Sequence, residues 1–366
     1  MRGNPAALAA SALAISLLAA CGDPAGETTS PHPPGTPSDR VSVMTFNVQN
    51  LFDARDDPGK DDRAFLPLSK KATAGHKAAC SRIRTEYRRE QCLNWDWSER
   101  VVGLKLKLVA ETILQVGSGR GPDILVLQEV ENLEILERLR TRHLAAAAYR
   151  PGILIEGDDI RGIDVAMLSR FETAEKPRLR KIPYTGMTRG QLRGSRGVLE
   201  ASFRLPDGES LSVLALHLPA PFHPRSFREQ ALRFLNTRLS RLPKERMVVA
   251  AGDFNITAEE DAEHRLFDSI TDSSWVAAHR IGCPDCLGSN YYAPKNSWSF
   301  LDIILLSKNL GPEGGASWGL LPGSVRLAND APQQKGRYGA PQRFDPVGGA
   351  GVSDHWPLVL ELAKRR

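Results

Sequence analysis

The sequence lacks a repeat of fixed period, and it has a single long apolar run, which lies at the N-terminus. The absence of repeats excludes solenoids and propellers, and the absence of further apolar runs excludes a polytopic membrane protein. With 41% hydrophobic and 25% charged residues, the composition is that of a globular protein and excludes extensive disorder, collagen and a coiled coil. A chain of 366 residues is long enough for one large domain or two smaller ones.

The N-terminal segment has the features of an export signal. Arg2 precedes a run from Ala6 to Ala20 that consists almost entirely of Ala, Leu and Ile. This run is short for a transmembrane helix and is typical of a secretory signal peptide. It ends in Leu-Ala-Ala followed by Cys21, which resembles the bacterial lipobox, in which the cysteine is acylated. We therefore predict a signal peptide over residues 1–20 and a lipid on Cys21; an ordinary signal peptide is the alternative.

The segment after the signal peptide is predicted to be a tether. Residues 21–40 are rich in Pro, Gly, Thr and Ser and contain little apolar surface to bury. Acyl chains on Cys21 would anchor this tether in a membrane. The sequence thus predicts an exported, membrane-anchored lipoprotein that faces the periplasm or the cell exterior. Its folded domain would cover residues 41–366 and is expected to be a monomer.

Cysteine usage agrees with export. An even number of cysteines besides the lipid site predicts two disulfide bonds in an exported chain, and pairing of neighbours would join Cys80 to Cys92 and Cys283 to Cys286. A zinc site is an alternative if the two pairs meet in space. A redox Cys-Pro-Asp-Cys motif is another, but its Gly-, Asn- and Pro-rich surroundings favour a structural bond.

Polar side chains stand at the ends of six short apolar runs. A carboxylate at the edge of a buried strand costs free energy unless it is paired, so a single case suggests a cap or turn, whereas six together indicate one site. Their excess of oxygen ligands favours a hard cation, Mg²⁺ or Mn²⁺, over zinc. The residues are Asn47, Glu129, His217, Asp253 with Asn255, Asp302, and Asp354 with His355.

Helical patterns separate some of these runs but not all. Apolar residues recur every three or four positions over 102–116 and over 227–242, which predicts two amphipathic helices. Other apolar runs follow one another with no helix between them. This arrangement favours an α+β fold, in which helices lie outside mixed sheets, over a regular βα barrel.

The motifs at the run ends resemble those of the endonuclease/exonuclease/phosphatase superfamily, which includes deoxyribonuclease I, abasic-site endonucleases and neutral sphingomyelinases. The chain also resembles bacterial secreted members of this superfamily in Arg161-Gly-Ile-Asp164-Val-Ala. The resemblance covers nearly all of residues 41–362 and implies a four-layer α/β/β/α sandwich with two packed mixed β-sheets. The motifs are Thr45-Phe-Asn47-Val-Gln-Asn50, Leu127-Gln-Glu129-Val, Leu216-His217-Leu, Gly252-Asp253-Phe-Asn255, Leu301-Asp302-Ile and Ser353-Asp354-His355-Trp-Pro-Leu358.

The resemblance implies how the metal would be held. Glu129 would bind it, with Asn47 beside it, and Asp354 would assist at the same or a second metal site. Gln49 replaces an acid that some relatives have at this position, which leaves one or two metals open.

The resemblance also implies the catalytic roles. Asp253 would position or deprotonate the attacking water, and Asn255 would hold the water and the phosphate. His355, oriented by Asp302, would contact the scissile phosphate. Metal and imidazole charge would offset the repulsion between hydroxide and an anionic phosphodiester, and positioning would replace a covalent nucleophile.

A second imidazole completes the implied set. His217 would act on the phosphate or the leaving oxygen, and Asp164 would orient it, because each imidazole needs a partner that fixes its tautomer. The six other histidines are predicted to be surface or packing residues.

Three strongly basic stretches bear on the substrate. The first belongs to an insertion at about residues 54–100 and is followed by Trp95 and Trp97, which suits a nucleic-acid backbone. A solvated face and attraction to anionic lipid headgroups are the alternatives, and the former is favoured for the third stretch, whose Arg residues fill the polar side of a helix. The stretches cover residues 70–89, 176–196 and 225–246.

The second basic stretch supplies candidates for a phosphate contact: Arg189, Arg193 or Arg196. DNA or RNA, cut by a metal-assisted water, is therefore the substrate we favour. A phospholipid or sugar-phosphate phosphoesterase is the alternative within the same chemistry. A binding scaffold on an inactive enzyme fold is the alternative outside it, and the intact set of polar residues argues against it.

Overall fold

The strands coincide with the apolar runs of the sequence. The computed structural model describes residues 39–365, and the predicted signal peptide, Cys21 and most of the tether lie outside them. The strands are β1 (Arg40–Leu51), β2 (Ile124–Val130), β3 (Ile153–Leu154), β4 (Asp164–Ser169), β5 (Arg178–Arg180), β6 (Val198–Arg204), β7 (Ser210–His217), β8 (Met247–Asp253), β9 (Trp275–Ala277), β10 (Asn290–Tyr292), β11 (Ser297–Ser299), β12 (Asp302–Ser307), β13 (Trp318–Leu320), β14 (Arg326–Leu327) and β15 (Leu358–Lys364).

Two long helices occupy the two amphipathic stretches, as predicted from the periodicity. Over residues 39–365, no helix combines the length and the apolar character needed to cross a bilayer. The α-helices are α1 (Leu68–Lys71), α2 (Ala74–Ser81), α3 (Glu86–Asn94), α4 (Glu99–Leu114), α5 (Leu133–Arg138), α6 (Arg189–Leu192), α7 (Arg225–Ser240), α8 (Ala258–His264) and α9 (Ala278–Gly282). Short 3-10 or π turns cover Arg63–Phe65, Leu139–His143, Ala145–Ala147, Phe267–Thr271, Ala293–Lys295, Lys308–Leu310, Pro332–Gln334 and Arg337–Gly339.

The strands form two mixed sheets and a small hairpin. The first sheet has the order β13-β15-β1-β2-β4-β3, with β14 also paired to β15, and the second has the order β5-β6-β7-β8-β12-β9. Strands β1 and β2 are parallel, as are β7 and β8, whereas the other neighbours are antiparallel. Strands β10 and β11 form a hairpin, and Asn290 of β10 also forms an isolated antiparallel bridge with His355.

Alternate residues of the central strands face different layers. In β1, Val43 belongs to the core between the sheets, whereas Met44 packs in the cluster that contains the apolar face of α4. In β8, Val249 faces the other sheet and Val248 packs with the apolar face of α7. This period of two is the pattern of strands that are buried on both faces. The predicted four-layer α/β/β/α sandwich of two packed mixed sheets is confirmed.

Strand directions bring the polar run ends to one edge. Strands β7 and β8 are parallel, so their last residues, His217 and Asp253, lie at the same edge of the second sheet. Asn47 lies near the end of β1 in the first sheet and contacts Asp253 at this edge. Strand β12 runs antiparallel to β8 and begins at Asp302, which pairs with Asp253. Strand β15 runs antiparallel to β1, so His355, just before it, lies at this edge too.

The insertion between β1 and α4 is a small helical unit closed by a disulfide. Cys80 of α2 is bonded to Cys92 of α3, with Cα atoms 5.6 Å apart. Cys283 and Cys286 form a second disulfide after α9. The pairing of neighbours agrees with the prediction, and it leaves no free thiolate among these four cysteines for a zinc or dithiol site. Buried Trp97 anchors the end of the insertion, since it packs edge-on against Phe65.

We expect the Cys80–Cys92 disulfide to protect the insertion from local unfolding. A Cys80→Ser, Cys92→Ser variant removes a cross-link worth up to about 3 kcal/mol for a loop of this size. Trypsin, which cuts after Lys and Arg, should then cleave within residues 68–94 roughly tenfold faster or more. Cys283→Ser with Cys286→Ser is the matched control. Equal cleavage rates in wild type and the first variant would contradict this prediction.

Candidate active site

Irregular backbone turns the polar residues away from the regular ladders. The β1–β2 pairing shifts register after Asn47, and the β2–β4 pairing shifts around Glu129, so Glu129 sits in a bulge. Gln49, Asn50, Glu129 and Asn255 have φ values between 50° and 65°, which residues other than glycine rarely adopt. Bulges and left-handed residues of this kind concentrate at functional sites, where they re-aim side chains.

Asp253 lies at the centre of the site, between the two sheets. Its Oδ2 accepts a hydrogen bond from Asn47 Nδ2 at 3.0 Å and lies 3.4 Å from His217 Nε2. Its Oδ1 accepts from the backbone N–H of Asn255 at 2.8 Å, and the Asn255 amide donates in turn to the Leu218 carbonyl at 3.0 Å. Both carboxylate oxygens of Asp253 are therefore fixed in direction.

His355 and Asp302 form a buried charged pair beside Asp253. His355 Nδ1 lies 2.6 Å from Asp302 Oδ2, which leaves Nε2 as the other ring nitrogen. Burial disfavours the charged imidazole, but Asp302, Asp253 and Asp354 outweigh it and hold the pKa of His355 well above its usual value. Burial raises the pKa of Asp253 to about 7, against the opposing charge of His355. His355 and Asp253 therefore each favour the charged form of the other.

His217 has the opposite character, because it is kept neutral. Burial and the charges of Arg196 and Arg161 hold the pKa of His217 well below its usual value, and its Nδ1 is buried without a hydrogen-bond partner. The expected contact with Asp164 is wrong. The Asp164 carboxylate accepts instead from the Gly157 N–H at 2.9 Å, and a neutral His217 needs no second carboxylate. Asp164 therefore supports a backbone turn.

Glu129 and Asn47 offer the kind of oxygen ligands that a hard cation binds. Glu129 Oε2 accepts from the Asn50 N–H at 2.9 Å, and Oε1 lies 3.5 Å from Asn47 Nδ2. Carboxylate and carboxamide oxygens are the ligands that Mg²⁺ and Mn²⁺ prefer, so these residues fit such an ion. Asp354 lines the same cleft, but its Oδ2 pairs with Arg343 at 2.8 Å. An ion held by Asp354 would compete with this arginine.

Buried Arg196 supports the backbone of the site at His217 and Leu218. Its guanidinium donates to the carbonyls of His217 and Leu218 at 3.0 and 3.2 Å and to Asp159 Oδ2 at 2.8 Å. Asp159 also lies 3.5 Å from an Arg161 nitrogen. Because Arg196 is buried and its donors are engaged, its expected phosphate contact is better assigned to Arg161, whose side chain is 43% exposed at the cleft.

The other two predicted arginines do not reach the cleft. Arg189 and Arg193 are exposed on and after α6, and the neighbouring Gly190, Gln191 and Gly194 form the lining instead. A phosphate contact from Arg189 or Arg193 stays a prediction.

Several residues that line the cleft were not predicted from the sequence. The cleft encloses about 440 Å³ and includes Arg88, Arg343, Phe222 and His223. Arg161 had a signal, since it begins the motif from which Asp164 was chosen. Arg88 lies in the basic stretch of the insertion, but Arg343 and Phe222 had no sequence signal. His223, expected to be a surface or packing residue, lies at the cleft with its ring 4.3 Å from that of Phe222.

Comparison with known proteins identifies the family. A model described as Endonuclease/Exonuclease/phosphatase family matches residues 81–364. The chain belongs to this family. No curated protein matches the chain. The family predicted from the motifs is confirmed, whereas the individual residue roles stay predictions.

Three solved structures share the fold of this family member. An endonuclease/exonuclease/phosphatase family protein from Bacteroides thetaiotaomicron is 17% identical with a TM-score of 0.54, and the match covers 90% of this chain and 99% of that chain. One from Beutenbergia cavernae is 16% identical with a TM-score of 0.53, covering 89% and 72%. TDP2 from D. rerio, solved with a single-strand DNA product, is 18% identical with a TM-score of 0.51, covering 89% and 100%.

Asp302→Asn should lower the pKa of His355 in the metal-free protein by roughly 1–3 pH units, because the partner charge is lost. Because the pKa of His355 is raised in the folded protein, its pairing stabilises the fold fully below the usual pKa of 6.5, and this stabilisation is lost as the pH rises through the folded pKa. NMR titration of the His355 ring measures the shift. His279, whose pKa burial lowers to about 3, is the internal control, and an unchanged His355 midpoint would disprove the pairing.

Proposed function

We propose that the protein is a metal-dependent nuclease that hydrolyses phosphodiester bonds of DNA or RNA. Members of its family are metal-dependent phosphoesterases, so family membership supports the hydrolysis of a phosphoester. The observation that carries the choice of substrate is the cationic cleft wall, which includes Arg88, Arg161 and Arg343 beside the Asp253 centre. Such a wall suits a polyanion with more than one phosphate.

Glu129 and Asn47 would hold a Mg²⁺ or Mn²⁺ ion, with Asp354 as a further ligand. When bound, such an ion neutralises phosphate charge and stabilises the leaving oxygen. The chain orients Glu129 beforehand through the Asn50 N–H, whereas Asn47 Oδ1 accepts from the Gln49 N–H at 3.0 Å and would share this oxygen with the ion. Gln49 is held in place, because its Oε1 accepts from the Phe344 N–H at 3.0 Å.

Asp253 is the group that would accept the proton of the attacking water. Hydrogen bonds from Asn47 and the Asn255 N–H hold its two oxygens, so the remaining lone pairs have a defined direction. Positioning of this kind replaces the entropy cost of collecting reactants in solution. Asn255, whose side chain is anchored on Leu218 O, is placed to hold the water or a phosphate oxygen.

His355 and His217 would divide the work on the phosphate. Asp302 keeps His355 charged, so its Nε2–H can donate to a phosphoryl oxygen and offset the negative charge that grows there. His217, held neutral beside Arg196, can donate or accept a hydrogen bond without adding charge. Arg161, with its charge at the cleft, is placed to contact a phosphate oxygen.

The basic hairpin of α2 and α3 extends the cationic wall. Arg82 and Arg84 are exposed on it, Arg88 lines the cleft, and Tyr87 is 54% exposed. Phe222, 78% exposed at the cleft, offers a face on which a base can stack. The complex of D. rerio TDP2 with a single-strand DNA product is consistent with such a ligand on this fold.

A phospholipid is the less favoured substrate. The apolar part of the lining consists of Ile160, Pro219, Ala220 and Phe222, which is little surface for two acyl chains. Anionic headgroups and nucleic-acid phosphates share the same charge, so a substrate panel must separate them.

We further propose that the enzyme is exported and held at a membrane through Cys21, as a monomer. The two disulfides support an oxidising compartment, since such bonds are rare in the cytosol. Mass spectrometry of the protein from a native membrane fraction would test the lipid on Cys21.

The purified full chain should nick plasmid DNA with Mg²⁺ or Mn²⁺, and EDTA should abolish the activity. Asp253→Ala and Glu129→Gln should each lower kcat/KM by about a hundredfold or more, because a proton acceptor or metal ligand is lost. Glu313→Gln, an exposed carboxylate away from the cleft, is the control. The panel includes single-stranded DNA, RNA, sphingomyelin and a phosphomonoester. Turnover of sphingomyelin alone would select the phospholipase alternative, and full activity of Asp253→Ala would refute the site.

Neutralising the hairpin should weaken nucleic-acid binding without impairing chemistry. Arg82→Gln with Arg84→Gln should raise KM for DNA several-fold and lower the salt slope of binding by about 0.9 for each phosphate that the hairpin no longer neutralises. Arg233→Gln with Arg241→Gln on the α7 side changes the net charge equally and is the control. Turnover of a small phosphodiester should not change. An identical decrease in DNA affinity in both double variants would show that net charge alone attracts DNA.

A further inference from the structure

A buried lysine contacts the segment that carries Asp354 and His355, and the proposed mechanism does not use it. Lys105 belongs to α4, and its side chain is 0% exposed. We propose that Lys105 is a positioning residue for Asp354 and His355, because it holds the backbone from which both side chains project. The kinetic part of this inference rests on the proposed function, since it needs a phosphodiester that the site hydrolyses.

The Lys105 ammonium is held by one carbonyl and one aromatic ring. Its Nζ donates a hydrogen bond to the carbonyl of Val352, which is 247 positions away in the chain, and lies 4.9 Å from the centre of the Phe344 ring. Both partners are buried. Within residues 39–365, no carboxylate forms an ion pair with this lysine. These contacts tie α4 to the segment that precedes β15.

A buried ammonium is costly, so its presence needs a reason besides packing. Lysine is seldom fully buried unless it is paired, because the charged group loses its hydration. Burial lowers the pKa of Lys105 to about 7, although the charges of Asp354 and Glu129 oppose the shift. Methionine, which is flexible and apolar, could fill this space without that cost. What the lysine adds is a donor directed at the Val352 carbonyl.

The segment that this lysine holds has no helix or strand of its own over residues 351–357. Gly351 has a φ of 76°, and a Cβ there would lie 2.0 Å from the Arg343 carbonyl oxygen, so the chain packs directly against its neighbour. The Val352 N–H donates to the Gln342 carbonyl at 2.9 Å. Since the N–H and the carbonyl of Val352 are both engaged, its backbone cannot turn without breaking a buried hydrogen bond.

Ser353 extends this constraint to the candidate active site. Its Oγ donates to the Asn47 carbonyl at 2.6 Å and accepts from the His355 N–H at 3.1 Å. The ring of His355 in turn lies 2.6 Å from Asp302, a contact that tolerates little displacement of the backbone. Lys105 and Ser353 thus fix successive positions of the same segment, one from α4 and the other from β1.

A second buried lysine offers a matched control. Lys71 is 3% exposed, and its Nζ donates to the carbonyls of Ala64 and Gln91 at 2.9 and 3.1 Å. Burial lowers the pKa of Lys71 to about 8. Its contacts join parts of the insertion and do not involve residues 351–357. Removal of Lys71 therefore shows what the loss of a buried ammonium does away from the candidate active site.

Kinetics of the full-length chain with a small phosphodiester, bis-(p-nitrophenyl) phosphate, and Mg²⁺ or Mn²⁺ provide the first test. Lys105→Met should lower kcat by about tenfold or more and leave KM within roughly twofold, because misplaced catalytic groups slow the reaction more than they weaken capture of a small substrate. Lys71→Met should keep both constants. An unchanged kcat in Lys105→Met, or an equal loss in the two variants, would overturn the proposal.

Proton NMR of the metal-free protein gives a readout that does not depend on activity. The short contact between His355 and Asp302 should give a ring N–H signal at low field in wild type. Lys105→Met should shift or broaden this signal, and Lys71→Met should leave it in place. An unaltered signal in Lys105→Met would contradict the positioning role. If wild type cleaves no phosphoester but the signal responds as expected, the proposed function fails and the positioning role stands.

Stability measurements separate positioning from a merely structural role. Lys105→Met should change the Tm little, because relief of the burial cost and loss of the hydrogen bond act in opposite directions. A loss of activity that unfolded protein fully accounts for would overturn the proposal. If the methionine variant does not fold, Lys105→Gln takes its place, with the same results expected.

A double-mutant cycle with Ser353→Ala tests whether both residues act on the same segment. Ser353→Ala should also lower kcat, and the loss in the double variant should be smaller than the product of the two single losses, because either substitution already loosens residues 351–357. Losses that multiply fully would show that Lys105 acts elsewhere and would refute the proposal.

Discussion

The hydrogen bond between Asn47 and Asp253 joins the two sheets at the edge that carries the candidate site. Asn47 belongs to the first sheet and Asp253 to the second, and their side-chain atoms lie 3.0 Å apart although the residues are 206 positions apart in the chain. Both side chains are buried, so this contact is made only when the two sheets pack in register. Asn47 also lies beside Glu129, and Asp253 lies beside His217 and accepts from the Asn255 N–H, so this pair contacts the other residues of the site.

Burial then gives similar residues different charge states. Asp302, 2.6 Å away, helps to hold the pKa of His355 well above its usual value, whereas burial and the charges of Arg196 and Arg161 hold the pKa of His217 well below it. One site therefore favours a charged imidazole and a neutral one, which suits a reaction that needs both a charge stabiliser and a neutral hydrogen-bonding group. The environment, more than the residue type, assigns these roles.

The insertion contributes to the wall of the cleft. Its beginning is the loop around Asp61, and its hairpin carries the basic residues around Arg88. The disulfide between Cys80 and Cys92 fixes the hairpin, while the loop contacts the backbone at Asp159 and Ile160. Both ends of the insertion thus bear on the wall of the cleft, and its Trp97 also packs in the hydrophobic core of the sandwich.

The sequence by itself indicated an α+β fold with mixed sheets and the residues that gather at the sheet edge, and the resemblance to the family implied the four-layer sandwich. Strand length and polar run ends are local properties, so they could be recognised without coordinates, and they led to Asp253, His355 and Glu129. The tertiary structure alone decided which partners meet. Asp164 turns to the Gly157 amide, Arg196 lies under His217, and Arg161 and Arg343 reach the cleft from distant loops. Side-chain direction and charge state depend on neighbours far along the chain, and no local pattern encodes them.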